Sequence, residues 1–318
     1  DRPANFADRW HLHGYSDSAA IADRSGLTPA EIERLLASAR RKLRVLRDRR
    51  VRPGCDEKIL TSWNALAIKG MAAAGRRLGQ PDWVDSAEQA LSYLHQHHWR
   101  DGRLLVSSRD GKAQLNAYLD DYAYLLDAIL ELLQVRWDNR WLDFASQLAA
   151  CLLEHFEDPD SGGFFFTSDD HEVLIHRPRP LSDDATPSGN AAAIEALSNL
   201  SALSGEPAWH AAAERALRAS WGALSATPDA HVGLLEGLRQ HLDPPEQLLL
   251  RGEATDLATW QAAADADYAP GRSVFAIPTQ ATGLPIALAA KKAEPGRTLA
   301  YRCRGSRCEA PFDDLGQL

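Results

Sequence analysis

The chain has 318 residues, 45% hydrophobic and 25% charged, with a net charge of −9 and an isoelectric point near 5.7. That composition is ordinary for a globular protein, and the acidic excess argues against nucleic acid or an anionic membrane as a partner, since both need a concentrated basic surface. No run of about 18 apolar residues occurs, and four cysteines are too few for a disulfide scaffold, so a reduced, cytoplasmic setting is expected.

Asp1-Arg2-Pro3 carries no signal-peptide pattern. The only methionine is Met71, so the chain reads as a fragment or a processed form of something longer. Residues 1–27 read as irregular, with Trp10, His11 and His13 close together. A helix then begins at Thr28-Pro29-Ala30-Glu31. Thr28 can cap it, Pro29 suits the first turn, and Glu31 completes a capping box. The basic run from Arg40 to Arg50 on this helix reads as a solvated face.

A repeat follows. Gln80-Pro81-Asp82-Trp83, Asp138-Asn139-Arg140-Trp141 and Glu206-Pro207-Ala208-Trp209 each lead into a helix, at intervals of 58 and 68 residues. Four residues after each Trp stands Ala87, Ala145 or Ala213, on the same helical face. Twenty residues before each Trp stand Trp63, Asp121 and Gly189, each opening an earlier helical run. The unit is helix, short turn, Trp-led helix, which stacks as a solenoid or closes as an α/α toroid.

Between the units lie short β pairs, one at Leu104-Leu105-Val106 with Asp110-Gly111, the other at Phe164-Phe165-Phe166 with Val173-Leu174-Ile175. Beyond Asp243 the pattern changes to strand 247–250, helix 254–264, strand 273–277 and a weaker strand 299–302. The expected organisation is an irregular segment 1–27, a helical-hairpin domain 28–243 and a small α/β appendage 244–318.

The starts of the first helices should share one end of the assembly. They carry Asp56, Glu57, Lys58, Trp63 and Asn64, then Asn116, Tyr118, Asp120, Asp121 and Tyr122, then Asp183, Asp184, Ser188 and Asn190. Carboxylates and amides there suit a polyhydroxylated ligand, and aromatic faces suit a sugar ring. Two carboxylates in unlike surroundings can divide acid and base roles. The competing reading is that acidic residues favour helix N-termini as caps, Asp120 and Asp184 included. His171 and His176 read as surface or hairpin-packing histidines rather than proton carriers. No His-Glu-x-x-His, Cys-x-x-Cys or phosphate loop occurs, so no metal and no cofactor is expected. Cys151 reads as core. Cys303 and Cys308 read as ordinary thiols that could pair if exposed.

Cys55-Asp56-Glu57-Lys58-Ile59-Leu60-Thr61-Ser62-Trp63-Asn64 resembles a known family, the spermatogenesis-associated proteins of animals and their bacterial relatives. The resemblance continues through Leu119-Asp120-Asp121-Tyr122-Ala123, Gly162-Gly163-Phe164-Phe165, Pro187-Ser188-Gly189-Asn190 and the final Cys303, Cys308 and Pro311. It implies a mainly α fold, a six-hairpin glycosidase-like α/α toroid joined in the family to an N-terminal thioredoxin-like domain that is not recognisable here. The toroid is then expected to be incomplete. The family's toroids are similar in fold to sugar epimerases and six-hairpin glycosidases, which implies a carbohydrate role without naming a reaction. Two functions follow as expectations. One is a sugar hydrolase or epimerase/isomerase, with Asp56, Asp120 and Asp121 as acid/base candidates. Glu57, Lys58, Trp63, Asn64, Tyr122, Asp184, Ser188 and Asn190 would then hold a small sugar-like ligand. The other is a non-catalytic module acting with the thioredoxin-like domain as its partner.

Overall fold

The computed structural model describes residues 4, 7–8, 14–172, 175–267 and 269–318. The expected cluster of Trp10, His11 and His13 lies outside the described residues, as do Val173 and Leu174. The chain divides into two compact units, Asp1–Glu57 and Lys58–Leu318.

The first unit holds helices α1 (Ser18–Ser25) and α2 (Pro29–Asp48), so part of the stretch expected to be irregular is helical. Asp17 caps α1, and Gly26 ends it in the left-handed conformation that glycine tolerates. The capping box of α2 forms as expected. The Thr28 N–H donates to Glu31 Oε2 (2.9 Å), and the Glu31 N–H donates to Thr28 Oγ1 (3.3 Å). Only Ile32 of α2 is buried, and the basic run is exposed, as a solvated face requires.

The second unit is built from the repeat. Its hairpins are α3 (Thr61–Arg77) with α4 (Pro81–His97), α5 (Leu119–Val135) with α6 (Asn139–Cys151), and α7 (Gly189–Ser204) with α8 (Pro207–Ala226). A single helix, α9 (Val232–Leu242), follows. Helices α3, α5, α7 and α9 touch in succession and form an inner row, while α4, α6 and α8 back them. This is the inner-and-outer arrangement of an α/α toroid, with three complete hairpins. The alanines after each Trp, Ala87, Ala145 and Ala213, are buried where the paired helices meet. Helix α5 is the centre of the row, and Leu119, Leu125, Leu126 and Ile129 lie wholly within the core.

The first connection is β-structured. Strand β1 (Ile59–Leu60), β2 (Trp99–Arg100) and β4 (Lys112–Asn116) all pair with β3 (Arg103–Arg109), which turns at Asp110-Gly111. Asp110 and Gly111 both have positive φ, as the tight turn demands. Of the second expected pair, Val173 and Leu174 lie outside the described residues. Phe164 makes one isolated bridge, to Glu157, and Ile175 is fully exposed. On the described side, the Asn190 side chain accepts the Phe164 N–H (2.8 Å) and donates to the Phe164 carbonyl (2.9 Å). Both backbone groups a partner strand would use are thereby taken.

The C-terminal sheet has the order β6 (Arg272–Pro278), β5 (Glu246–Gly252), β7 (Leu299–Arg304), β8 (Arg307–Cys308). Strands β5 and β6 are parallel, joined across helix α10 (Ala254–Ala264). Alternation sends Leu248 and Leu250 toward Leu257 and Trp260 of α10, and Leu249 and Phe275 into the helical core. The sheet is therefore continuous with the helices and belongs to the same unit. Cys303 and Cys308, expected as thiols, face each other across β7 and β8 and form a disulfide. Among the described residues no helix is long and apolar enough to cross a membrane.

Candidate functional site

The inner helices begin with few capping side chains of their own. Leu60 and Tyr118, at the cap positions of α3 and α5, offer no side-chain acceptor of the usual kind. Orphan N–H groups at a helix start need an acceptor, and Asp121 supplies it for both helices. Its Oδ1 accepts the Ser62 N–H (2.8 Å) and its Oδ2 accepts the Tyr118 N–H (2.9 Å). Asp121 is 1% exposed, and burial pushes its carboxyl up to about 7 against the pull of these amides. One row further, Asp183 repeats the device. Its Oδ1 accepts the Ser188 N–H (2.9 Å) at the start of α7, and its Oδ2 accepts the Gly233 N–H (2.8 Å) at the start of α9.

The neighbouring Asp120 is placed differently. Its Oδ1 is buried and has no hydrogen-bond partner among the described residues, and burial raises its carboxyl to about 6. The atom lies against Gly189, where any Cβ would collide with it. Next to Asp120 in the chain, the Tyr118 ring (two residues away) stacks on Phe166 (centroids 4.8 Å apart) and on His171 (5.3 Å). His171, expected to pack on a hairpin, is half-buried in that stack, and its Nδ1 has no partner. His176 is exposed.

The other residues selected from sequence separate into two kinds. Tyr122 is buried, and its hydroxyl accepts the Leu104 N–H (2.8 Å), fastening α5 to β3. Asn190 is buried and ties Phe164 and Pro180 to α7. Ser188 caps α7 by accepting the Ala191 N–H (3.1 Å), and Asn64 donates to the Leu60 carbonyl (2.8 Å). These four side chains are occupied in local structure. By contrast Trp63, at 68% exposure, presents its indole to solvent, and Lys58 and Asp184 are exposed too. Asp56 and Glu57 are exposed residues of the first unit.

Sequence reasoning chose Asp184 where Asp183 does the bridging. The useful signal was available in part: Asp183 precedes the Ser188 cap by five residues, the length of a loop that can fold back on a helix start. Tyr124, also not selected, donates from its hydroxyl to the Pro187 carbonyl and joins α5 to the approach of α7.

Among the described residues one group of side chains could hold a metal ion: His155, Asp169 and Asp170 bring ligand atoms within 4.8 Å of one another. His155 Nδ1 is 2.8 Å from Asp169 Oδ1. Both oxygens of Asp170, however, receive the Arg103 guanidinium (2.6 and 2.9 Å), a neighbour that opposes a second cation.

No protein-family model matches the chain. It is similar to spermatogenesis-associated protein 20 of Homo sapiens, 26% identical over 317 residues that cover 93% of this chain and 40% of that protein. Spermatogenesis-associated protein 20 of Mus musculus is 30% identical over 201 residues, 59% of this chain and 25% of that protein. The proteins to which the motifs pointed are its homologues, and the chain spans about two fifths of the human relative's length. Among solved structures, a cellobiose 2-epimerase from Spirochaeta thermophila aligns at TM-score 0.44 and 18% identity, over 52% of this chain and 44% of that one. An unsaturated glucuronyl hydrolase specific for heparin aligns at TM-score 0.44 and 19% identity, over 54% of this chain and 48% of that one.

Proposed function

We propose that the face where α3, α5 and α7 begin binds a small polyhydroxylated molecule, and that Asp120 is the group that moves a proton there. The observation that carries this reading is the buried, unpartnered Oδ1 of Asp120, with its carboxyl raised to about 6. A carboxyl held near its working pH can give and take a proton within one reaction cycle. Trp63 supplies an exposed ring, and Tyr118 with His171 supplies a second aromatic surface beside the acid. The reaction class is sugar epimerisation or isomerisation, with hydrolysis the less favoured form. Hydrolysis by paired carboxylates needs a second free carboxylate, and both oxygens of Asp121 already hold backbone amides. Lys58 completes the proposal as a residue contacting the ligand, in a cytoplasmic protein of carbohydrate metabolism.

The test is a sugar panel followed by proton NMR for epimerisation and by a reducing-end assay for hydrolysis. Asp120→Asn should abolish turnover while the chain still folds and unfolds cooperatively. Turnover that survives in this variant would sink the role given to Asp120.

A second reading, a non-catalytic module acting with a thioredoxin-like partner domain, is favoured by one observation. Cys303 and Cys308 form a disulfide whose Cys308 side lies exposed, open to exchange with a partner thiol. A mixed disulfide trapped between Cys308 and a single-cysteine thioredoxin-like domain would support it. Failure to trap one, with sugar turnover present, would remove it.

A further inference from the structure

The inner row encloses a second polar feature, far along its helices from their starts. A chamber of about 160 Å³ lies among α3, α5, α7, α9 and strand β6. It is separate from the Asp120 face and contains none of the residues assigned to it.

Its cations are all engaged with carboxylates. Lys69 Nζ is 2.6 Å from Asp127 Oδ2, Arg76 and Arg77 pair with Asp265, Arg239 pairs with Glu236 and Arg272 with Glu246. Two more carboxylates line the same space, Glu131 on α5 and Glu195 on α7, and among the described residues neither has an ion-pair partner. Each receives one neutral hydrogen bond, Glu131 from Gln134 Nε2 (3.1 Å) and Glu195 from Gln240 Nε2 (3.2 Å). Gln240 itself is 8% exposed, and its Oε1 accepts nothing. The chamber thus has a surplus of acceptors: two unpaired carboxyls and an unpartnered amide oxygen, on three different helices.

Glu131 and Glu195 are half-buried, and a carboxylate drawn partly out of water without a cation is costly and is normally matched by a cation or a proton. Burial pushes the carboxyls of both Glu131 and Glu195 upward, the nearby charge of Asp127 adding to it; Lys69 opposes it at both, and Arg76 at Glu131. A metal ion does not fit, because Asp127, Glu131 and Glu195 do not bring their oxygens within coordinating reach of one another and Lys69 stands among them. A small organic ammonium does fit: it carries several donors, spans more than one acceptor, and matches the chamber's volume.

We propose that this chamber is a binding site for a small organic amine, held as its ammonium between Glu131, Glu195 and the Gln240 carbonyl.

The experiment uses the full chain and matched pairs of probes that differ only in exchanging an amine for a hydroxyl: ethanolamine against ethylene glycol, and glucosamine against glucose. Calorimetric titration at pH 7 should show each amine binding about tenfold or more tighter than its neutral counterpart. Glu195→Gln and Glu131→Gln should each remove most of that preference, with unfolding followed in parallel. Equal binding of amine and neutral probe, or a preference that persists in the double variant, overturns the proposal. Should the variants not fold, titration of the unaltered chain with the matched probes at pH 7 and at pH 5 decides it. Protonation of the two carboxyls on acidification should weaken the amines and leave the neutral probes unchanged, and an amine preference equal at both pH values overturns the proposal.

Discussion

The carboxylate of Asp121 joins the Ser62 N–H and the Tyr118 N–H, residues 59 and 3 positions away, and so fixes the starts of two inner helices to each other. Asp183 does the same for Ser188 and Gly233. The repeat is therefore stitched at its helix starts by one aspartate per pair of inner helices.

Removing either stitch should be costly. Asp121→Asn presents an amide NH2 to one of two backbone donors, and Asp183→Asn does likewise. Each should lower unfolding stability by about 2 kcal/mol, and because the helix pairs differ, the double variant should be additive within about 0.5 kcal/mol. Urea melts measure both. A change under about 0.5 kcal/mol for Asp121→Asn would show that the bond to Ser62 carries no structural weight.

Two glycines should respond in opposite directions to alanine. At Gly189 a Cβ would strike Asp120 Oδ1 and the Leu119 side chain, so Gly189→Ala should destabilise by about 1–3 kcal/mol. At Gly70, in the exposed interior of α3, nothing stands within 4 Å, so Gly70→Ala should stabilise by about 0.5–1 kcal/mol. Thermal melts of the two variants side by side would refute the close approach at Gly189 if both rose.

Stability should depend on pH through Asp120. Its carboxyl is raised from 3.8 to about 6 by burial, so between those values the folded chain binds more protons than the unfolded one. Stability from this group is highest below about pH 4 and falls as pH rises toward 6. Asp120→Asn removes the titration, so its stability relative to the parent should improve on going from pH 4.5 to pH 7.5. An unchanged difference between the two pH values would mean that Asp120 titrates as an ordinary surface carboxyl.

The Cys303–Cys308 bond closes a loop of only five residues' separation. Chain-entropy reasoning for so short a loop gives about 2 kcal/mol at most. Cys308→Ser, at the exposed partner, should cost about 1–2 kcal/mol, and dithiothreitol should bring the parent to the level of the variant. A parent already insensitive to the reductant would contradict the bond.

Much of the architecture was legible because its signals are local. The Thr28 capping box, the turn-Trp-helix unit and the Asp110-Gly111 turn each depend on residues a few positions apart, and each forms. The strand-helix-strand run after Asp243 was visible from its short apolar runs, and β5, α10 and β6 follow it. Near Phe164 the signal was not local: a side chain from α7, Asn190, pairs with both backbone groups of Phe164, and nothing in the neighbouring sequence announces that.

The sequence by itself determined which helices pair and that their starts gather acidic residues, since periodicity, caps and spacing are properties of neighbouring residues. Only the tertiary structure decided what each acid does. Asp120 and Asp121 are adjacent in the chain, yet successive positions on a helix point in different directions, so Asp121 meets two backbone amides while Asp120 is turned against Gly189 with an oxygen unpartnered. The chamber of Glu131, Glu195 and Gln240 was likewise invisible, because each lies on a different helix and only packing of the inner row brings their side chains to one space.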